Sequence, residues 1–300
     1  MRAAVTGARG FVGRHLTTYL TAHGTDVVEL DRDGARPLDI TDPDAVVRRF
    51  AEERPRVVYH LAARSHVGTS WTDGDLLTRV NVDGTRAVLD ACVETGVERI
   101  LVVGSAEQYG TVLPDEIPVV EDTPFRPITP YGESKVAAER LALEIGRSSG
   151  LAVVCTRAFN HTGPGQSPAF LVPGLAARIA AAERDAIDQI VLGNGDPVRD
   201  FSDVRDVVRA YVLLAELGVP GEAYNVCSGD AARVGDVAAA LVSRSTRALV
   251  VTTASELVRP VDVPVLVGDP SKLVAATGWE PRFDLDRTLD DVLAAARVTS

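Results

Sequence analysis

Lysine is nearly absent from this chain. Of 31 basic residues in 300, only Lys135 and Lys272 are lysines. The arginine excess reads as a compositional habit, so arginine number alone carries no functional meaning. Cysteine is scarce too. Cys92, Cys155 and Cys227 form an odd set in apolar stretches with no C-x-x-C spacing. That excludes a disulfide framework and a thiolate metal centre, and predicts buried thiols in a reducing compartment with no metal site. No apolar run approaches the ~18 residues of a membrane span. The chain enters a strand at once, leaving no room for a signal peptide, so the cytoplasm is the expected location. Positive charge is in deficit, with a net charge of −11. Nucleic acid and anionic membranes are therefore not expected as partners.

What remains is the composition of an ordinary globular protein, 46% hydrophobic and 24% charged. Its length suffices for one large or two modest domains. There is no internal repeat and no low-complexity tract. Apolar strands alternate with helical patterns: residues 2–6, 26–30 and 57–60, a helix near 76–95, a strand at 100–104, a helix over 130–149 and a strand at 151–156. Such alternation predicts an α/β fold, a Rossmann-type doubly wound parallel sheet. After about residue 160 the pattern loosens. Gly163-Pro164-Gly165 and Gly193-Asn194-Gly195-Asp196-Pro197 indicate long loops and a smaller C-terminal α/β lobe. A helix at 203–217 and a strand at 223–227 are expected to return to the sheet, and a helix near 285–296 closes the chain. The expected division is 1–160 with 200–228 for the dinucleotide, and 161–199 with 229–300 for the substrate. A cleft between them is the natural ligand site.

The first strand runs directly into Gly7-Ala8-Arg9-Gly10-Phe11-Val12-Gly13 and then a helical pattern through Leu16 and Leu20. Strand, glycine turn and helix is the context of a dinucleotide fingerprint, here spaced GxxGxxG. Glycines allow close approach of a pyrophosphate to the helix N-terminus. The second strand ends at Asp31, which can accept hydrogen bonds from ribose hydroxyls as in NAD sites. Arg32 follows and, with Arg9, can instead hold a 2′-phosphate, so NAD(H) and NADP(H) both stay open.

Tyr131-Gly132-Glu133-Ser134-Lys135 holds one of the two lysines. On a helix, positions i and i+4 share a face. The ammonium is therefore expected to favour the phenolate and lower a tyrosine pKa that starts near ~10. Bringing it to about 7 corresponds to roughly 4 kcal/mol. Such a phenol can exchange protons at neutral pH.

Together these segments resemble the extended short-chain dehydrogenase/reductases that act on nucleotide-diphosphate sugars. The likeness spans nearly the whole chain and includes Thr6–Gly13, Leu38-Asp39-Ile40, His60-Leu61-Ala62-Ala63, Asn81-Val82-Asp83-Gly84-Thr85, Ser105 with Tyr109-Gly110, and Tyr131–Lys135. The resemblance implies that Asp39 and Ile40 flank the adenine and that Leu61, Ala62 and Ala63 line the cofactor strand end. Gly7, Gly10, Phe11, Val12, Gly13, Asp31, Arg32, Asn81, Tyr131 and Lys135 complete the implied cofactor set. Ser105, Tyr131 and Lys135 are the implied catalytic residues. The segments 158–168, 198–211 and 224–229 are most similar to the branch that reduces the C4 ketone of GDP-4-keto-6-deoxy-D-mannose to GDP-D-rhamnose. The implied substrate contacts are Ser65, Glu107, Asn160, Phe170, Val172, Arg199 and Arg259. The two arginines would grip the diphosphate, whose oxygens match guanidinium forks. A homodimer through a four-helix bundle of helices near 76–95 and 130–149 is also implied.

Two other chemistries use the same triad. A 4,6-dehydratase needs an extra acid and base. Glu107 stands where such enzymes keep a base, which makes it a catalytic candidate, but Ala106 beside it cannot donate a proton. A 4-epimerase needs only the triad and a roomy pocket. A non-catalytic nucleotide-binding regulator on the same fold is the alternative of another class, though Ser, Tyr and Lys are all present.

Overall fold

The computed structural model describes residues 1–65, 74–253 and 263–299. In chain order the strands are β1 (Arg2–Thr6), β2 (Asp26–Leu30), β3 (Val57–His60), β4 (Arg99–Ser105), β5 (Ala152–Ala158), β6 (Asn160–Thr162), β7 (Gln189–Leu192), β8 (Val198–Asp203), β9 (Ala223–Val226), β10 (Ala231–Arg233), β11 (Val250–Thr253) and β12 (Val265–Leu266). The helices are α1 (Phe11–Ala22), α2 (Pro43–Glu53), α3 (Gly74–Leu77), α4 (Gly84–Thr95), α5 (Pro130–Ser149), α6 (Leu171–Asp185), α7 (Val204–Leu217), α8 (Val234–Ser243), α9 (Ser271–Thr277) and α10 (Leu285–Thr299).

Six strands form a wholly parallel sheet in the order β2-β1-β3-β4-β5-β9. Its central strands are short continuous apolar runs, as expected where both faces are covered. One face buries Val46, Phe50, Val88, Leu89 and Leu141 from α2, α4 and α5. The other buries Leu16, Leu20, Val207 and Leu214 from α1 and α7. The sheet is thus the middle of three layers, a Rossmann-type α/β fold.

The helix expected over 76–95 is interrupted. Between α3 and α4 the chain makes a π-helical turn over Thr78–Asp83. Helix α5 matches its expected span. Thr129 Oγ1 accepts from the Gly132 amide at 3.0 Å, Pro130 fills the first turn, and Gly150 closes the helix at φ +80°.

The second lobe centres on β8, flanked by β10 and β12 and joined by β6. A separate apolar cluster packs α6, α8 and α10 through residues such as Leu175, Leu241 and Leu293. Two segments cross the division expected from sequence. Strand β8 belongs to the smaller sheet, and only from α7 onward does the chain rejoin the large one. Helix α9 packs Leu273, with the following Trp279, against the α1–α7 face of the large sheet. The indole Nε1 donates to the Asp206 carbonyl at 3.0 Å, which fixes that return.

Candidate active site

Strand ends, the glycine turn and α6 enclose one cleft of about 1460 Å³. Its first wall is built from backbone. Gly7 adopts φ +71°, and a Cβ there would lie 2.9 Å from the Ala62 nitrogen. A Cβ on Gly13 would lie 2.1 Å from the Gly7 carbonyl oxygen. Only glycine lets β1, the turn and α1 approach this closely. The N-terminal amides of α1 then open onto the cleft, which suits a diphosphate. Asp31 accepts from the Arg9 amide at 2.9 Å, tying the end of β2 to the glycine turn. Asp39 accepts from the Thr41 amide and hydroxyl at 2.9 and 2.8 Å. That backbone hydrogen bond leads in holding its carboxyl below the ordinary range. Gly7, Gly10, Phe11, Val12, Gly13, Asp31, Arg32, Asp39, Ile40, Leu61, Ala62 and Ala63 all line the cleft.

Asn81 does not. It is buried, and its amide accepts from the Arg64 nitrogen at 2.8 Å and donates to Ser134 Oγ at 2.9 Å. The π-helical turn carries it, so its work is to hold the 61–65 strand exit against α5. His60 has a similar place. Its ring bridges Thr6 Oγ1 at 2.8 Å and Thr85 Oγ1 at 3.0 Å. Burial, then the Lys135 charge, pulls its pKa down to about 3, so it is neutral.

Ser105, Tyr131 and Lys135 meet on the cleft floor. Ser105 ends β4 in extended conformation, and its Oγ accepts from the Glu107 amide at 3.2 Å. Ser105 acts on Tyr131 by favouring the phenolate. The expected lowering of Tyr131 by Lys135 is not what the structure gives. Burial pushes the phenol up to about 12, Ser105 opposes this, and the Glu107 charge adds to it. Lys135 is itself buried, drawn down to about 8, and its Nζ donates to the Val103 carbonyl at 2.8 Å. Desolvation outweighs the i, i+4 pairing that sequence spacing suggested.

The facing wall is built from side chains. Ser65, Glu107, Asn160, Phe170, Val172 and Arg199 line it. Arg199 is 8% exposed, with Nη1 donating to the Val198 carbonyl at 2.9 Å. Arg259, its expected companion, lies outside the described residues. Arg178 also lines this wall and was not singled out from sequence. It sits in an ordinary helical pattern, and only the fold turns it inward.

A parallel sheet with a glycine-cradled crevice and a Ser-Tyr-Lys floor defines an extended short-chain dehydrogenase/reductase. Comparisons with known proteins narrow this. The NAD dependent epimerase/dehydratase family matches residues 3–227, and the chain belongs to that family. It is 32% identical to the GDP-6-deoxy-D-mannose reductase of Pseudomonas aeruginosa, over 98% of this chain and 96% of that protein. The structure of RMD from Pseudomonas aeruginosa complexed with NADPH is 32% identical, has a TM-score of 0.92 and covers 100% of this chain and 99% of that one. The Thermus thermophilus UDP-glucose 4-epimerase in complex with NAD is 30% identical with a TM-score of 0.90, each chain covered in full at 100%.

Proposed function

We propose that this chain is an NAD(P)H-dependent reductase of the C4 ketone of a nucleotide-diphosphate 4-keto-6-deoxy sugar. The substrate is GDP-4-keto-6-deoxy-D-mannose and the product GDP-D-rhamnose. The observation that carries this is the convergence of Ser105, Tyr131 and Lys135 on the floor of the glycine-cradled cleft. The likeness to the Pseudomonas aeruginosa reductase over 98% of the chain supports the choice of sugar and base.

When bound, the reduced nicotinamide supplies the hydride. The remaining work falls to side chains. Tyr131, kept protonated by burial, gives its proton to the C4 oxygen as that oxygen gains charge. Ser105 hydrogen-bonds the same oxygen and aims it. Lys135 holds the nicotinamide ribose, and its charge stabilises the phenolate that Tyr131 becomes. Arg199 and Arg259 grip the diphosphate. Ser65, Glu107, Asn160, Phe170 and Val172 contact the nucleotide sugar. Residues 1–160 with 200–228 serve the cofactor, and 161–199 with 229–300 serve the substrate, apart from the β8 strand and the α9 return described above.

We further infer a two-fold dimer through α4 and α5, supported by Val93 standing 44% exposed on α4. A cytoplasmic setting is supported by three free, buried thiols. Among the described residues no helix is long and apolar enough to cross a membrane.

A 4-epimerase is the second reading, favoured by the overlay on the Thermus thermophilus enzyme at TM-score 0.90. A 4,6-dehydratase draws on Glu107 beside Ser105, but the buried Ala106 has no proton to give. One mixing experiment separates them. Protein, NADPH or NADH and the GDP-4-keto-6-deoxy sugar are combined, and reduced-nicotinamide absorbance is followed. Stoichiometric loss is expected. No loss here, with conversion of a GDP sugar bearing C4 and C6 hydroxyls in the presence of NAD and no net nicotinamide change, means epimerase or dehydratase.

A further inference from the structure

Below the catalytic floor lies a group of buried charges that the chemistry above does not use. Gln108 is 0% exposed, Glu139 4% and Arg157 7%. Gln108 closes the short 3₁₀ turn that follows Ser105. Its Oε1 accepts from the Ser105 amide at 2.8 Å, and its Nε2 donates to Glu139 Oε2 at 2.8 Å. Glu139 stands on α5 one turn beyond Lys135 and two beyond Tyr131, on the same face. Arg157 of β5 neutralises it with a fork, Nε at 3.1 Å and Nη2 at 2.7 Å. The remaining guanidinium nitrogen donates to Tyr109 Oη at 2.9 Å and the Glu121 carbonyl at 2.6 Å.

The path runs from the helix that carries Tyr131 to the backbone that carries Ser105. Two glycines make room for it. A Cβ on Gly104 would lie 2.4 Å from Gln108 Oε1, and a Cβ on Gly132 would lie 2.6 Å from the Glu107 carbonyl. The turn and the helix therefore touch at backbone distance, and the amide of Gln108 sets their register.

We propose that Gln108 and Glu139 are positioning residues that hold Ser105 in hydrogen-bonding register with Tyr131. The Gln108 amide accepts from one partner and donates to the other at any pH, whereas glutamate at the same place does both only while protonated. This rests on the reductase reading for its kinetic test, but not for its spectroscopic one.

The test is Gln108→Glu, with the exchanged pair Gln108→Glu/Glu139→Gln as control. The titratable and charged groups around position 108 are Glu107 and Tyr109 of its own turn, Lys135 and Glu139 from α5, Arg157 and Cys155 from β5, His60 from β3, and Glu121. In the single variant two carboxyls share one proton. Turnover is expected to be near wild type at low pH and to fall roughly 100-fold once that proton leaves, as a displaced catalytic group costs. The KM for NADPH should stay unchanged; the thermal midpoint should fall as the proton leaves, with the variant still folded by circular dichroism at every pH assayed. The Ser105 amide, followed by NMR in the NADPH complex without sugar, should shift with the same midpoint. The exchanged pair restores an amide facing a carboxylate and should remove the pH step. If the wild type turns over no 4-keto sugar, the reductase reading falls while the Ser105 amide still tests the coupling. A wild-type pH profile with an unmoved Ser105 signal in Gln108→Glu overturns the proposal. So does a loss that tracks unfolding, an exchanged pair no better than the single variant, or failure of both variants to fold.

Discussion

The first wall of the cleft is shaped largely by main-chain atoms, with Asp31, Arg32 and Asp39 beside them; the facing wall is built from side chains. The glycine turn works because Gly7 and Gly13 lack Cβ atoms, and because Asp31 and the α1 N-terminus fix its path. The opposite wall draws Asn160, Phe170, Val172, Arg178 and Arg199 from β6, α6, β8 and their flanking loops. A backbone cradle recognises what dinucleotides have in common. A side-chain wall can be changed residue by residue without moving the scaffold. That difference explains how one fold serves reductases, epimerases and dehydratases.

The sharpest way to break this comparison is at the floor shared by both walls. Tyr131→Phe should lose about 10²–10⁴ in kcat while still binding NADPH by fluorescence titration. Retained turnover would remove Tyr131 from the chemistry. On the side-chain wall, Arg199→Ala removes a charged donor, an effect of about 1.5–3 kcal/mol, or roughly 10–100-fold in the KM for the nucleotide sugar. The Kd for cofactor should not move; if it does, the walls are not independent. On the backbone wall, Gly13→Ala should act the other way round. The added methyl meets the Gly7 carbonyl, and the strain of about 1–3 kcal/mol appears as ~5–100-fold weaker cofactor binding, with little change in sugar KM at saturating NADPH.

The smallest effect concerns the support behind the first wall. Unfolded, His60 titrates near 6.5; folded, burial holds it near about 3. Below pH 6.5 the unfolded chain therefore takes up a proton that the folded one refuses, and stability falls as pH drops through that window. At pH 5.5 the loss is about 1.4 kcal/mol, or roughly 2–4 °C in thermal midpoint. A His60→Gln variant should lack this part of the slope. Identical slopes would contradict the neutral assignment.

The two walls also differed in how much the amino-acid order betrayed. The cradle was legible because three glycines follow a five-residue apolar strand, a local pattern. Helix α5 was legible from the alternation of strands and helical patterns, and Tyr131 and Lys135 from residue type and spacing. The π-helical turn at Thr78–Asp83 was not, because the apolar periodicity runs on through it. Asn81, which the family resemblance placed among the cofactor residues, sits in that turn and hydrogen-bonds the 61–65 segment and α5. The upward shift of Tyr131 was hidden for another reason: spacing reveals a neighbouring charge, but desolvation depends on everything that covers the ring. Gln108, Glu139 and Arg157 come from three separate elements, and only the fold brings them into one line. Helix α9 lies far along the chain, yet Trp279 pins its end to α7.

The central claim is that the floor of the cleft delivers hydride and proton to one sugar carbon. NADPH carrying two deuteriums at the nicotinamide C4, reacted with GDP-4-keto-6-deoxy-D-mannose, tests it directly. The account predicts one deuterium per product, located at C4 of the sugar by NMR, with labelled product forming about 10²–10⁴-fold more slowly in Tyr131→Phe. Product without deuterium at C4, or label at another carbon, would contradict it.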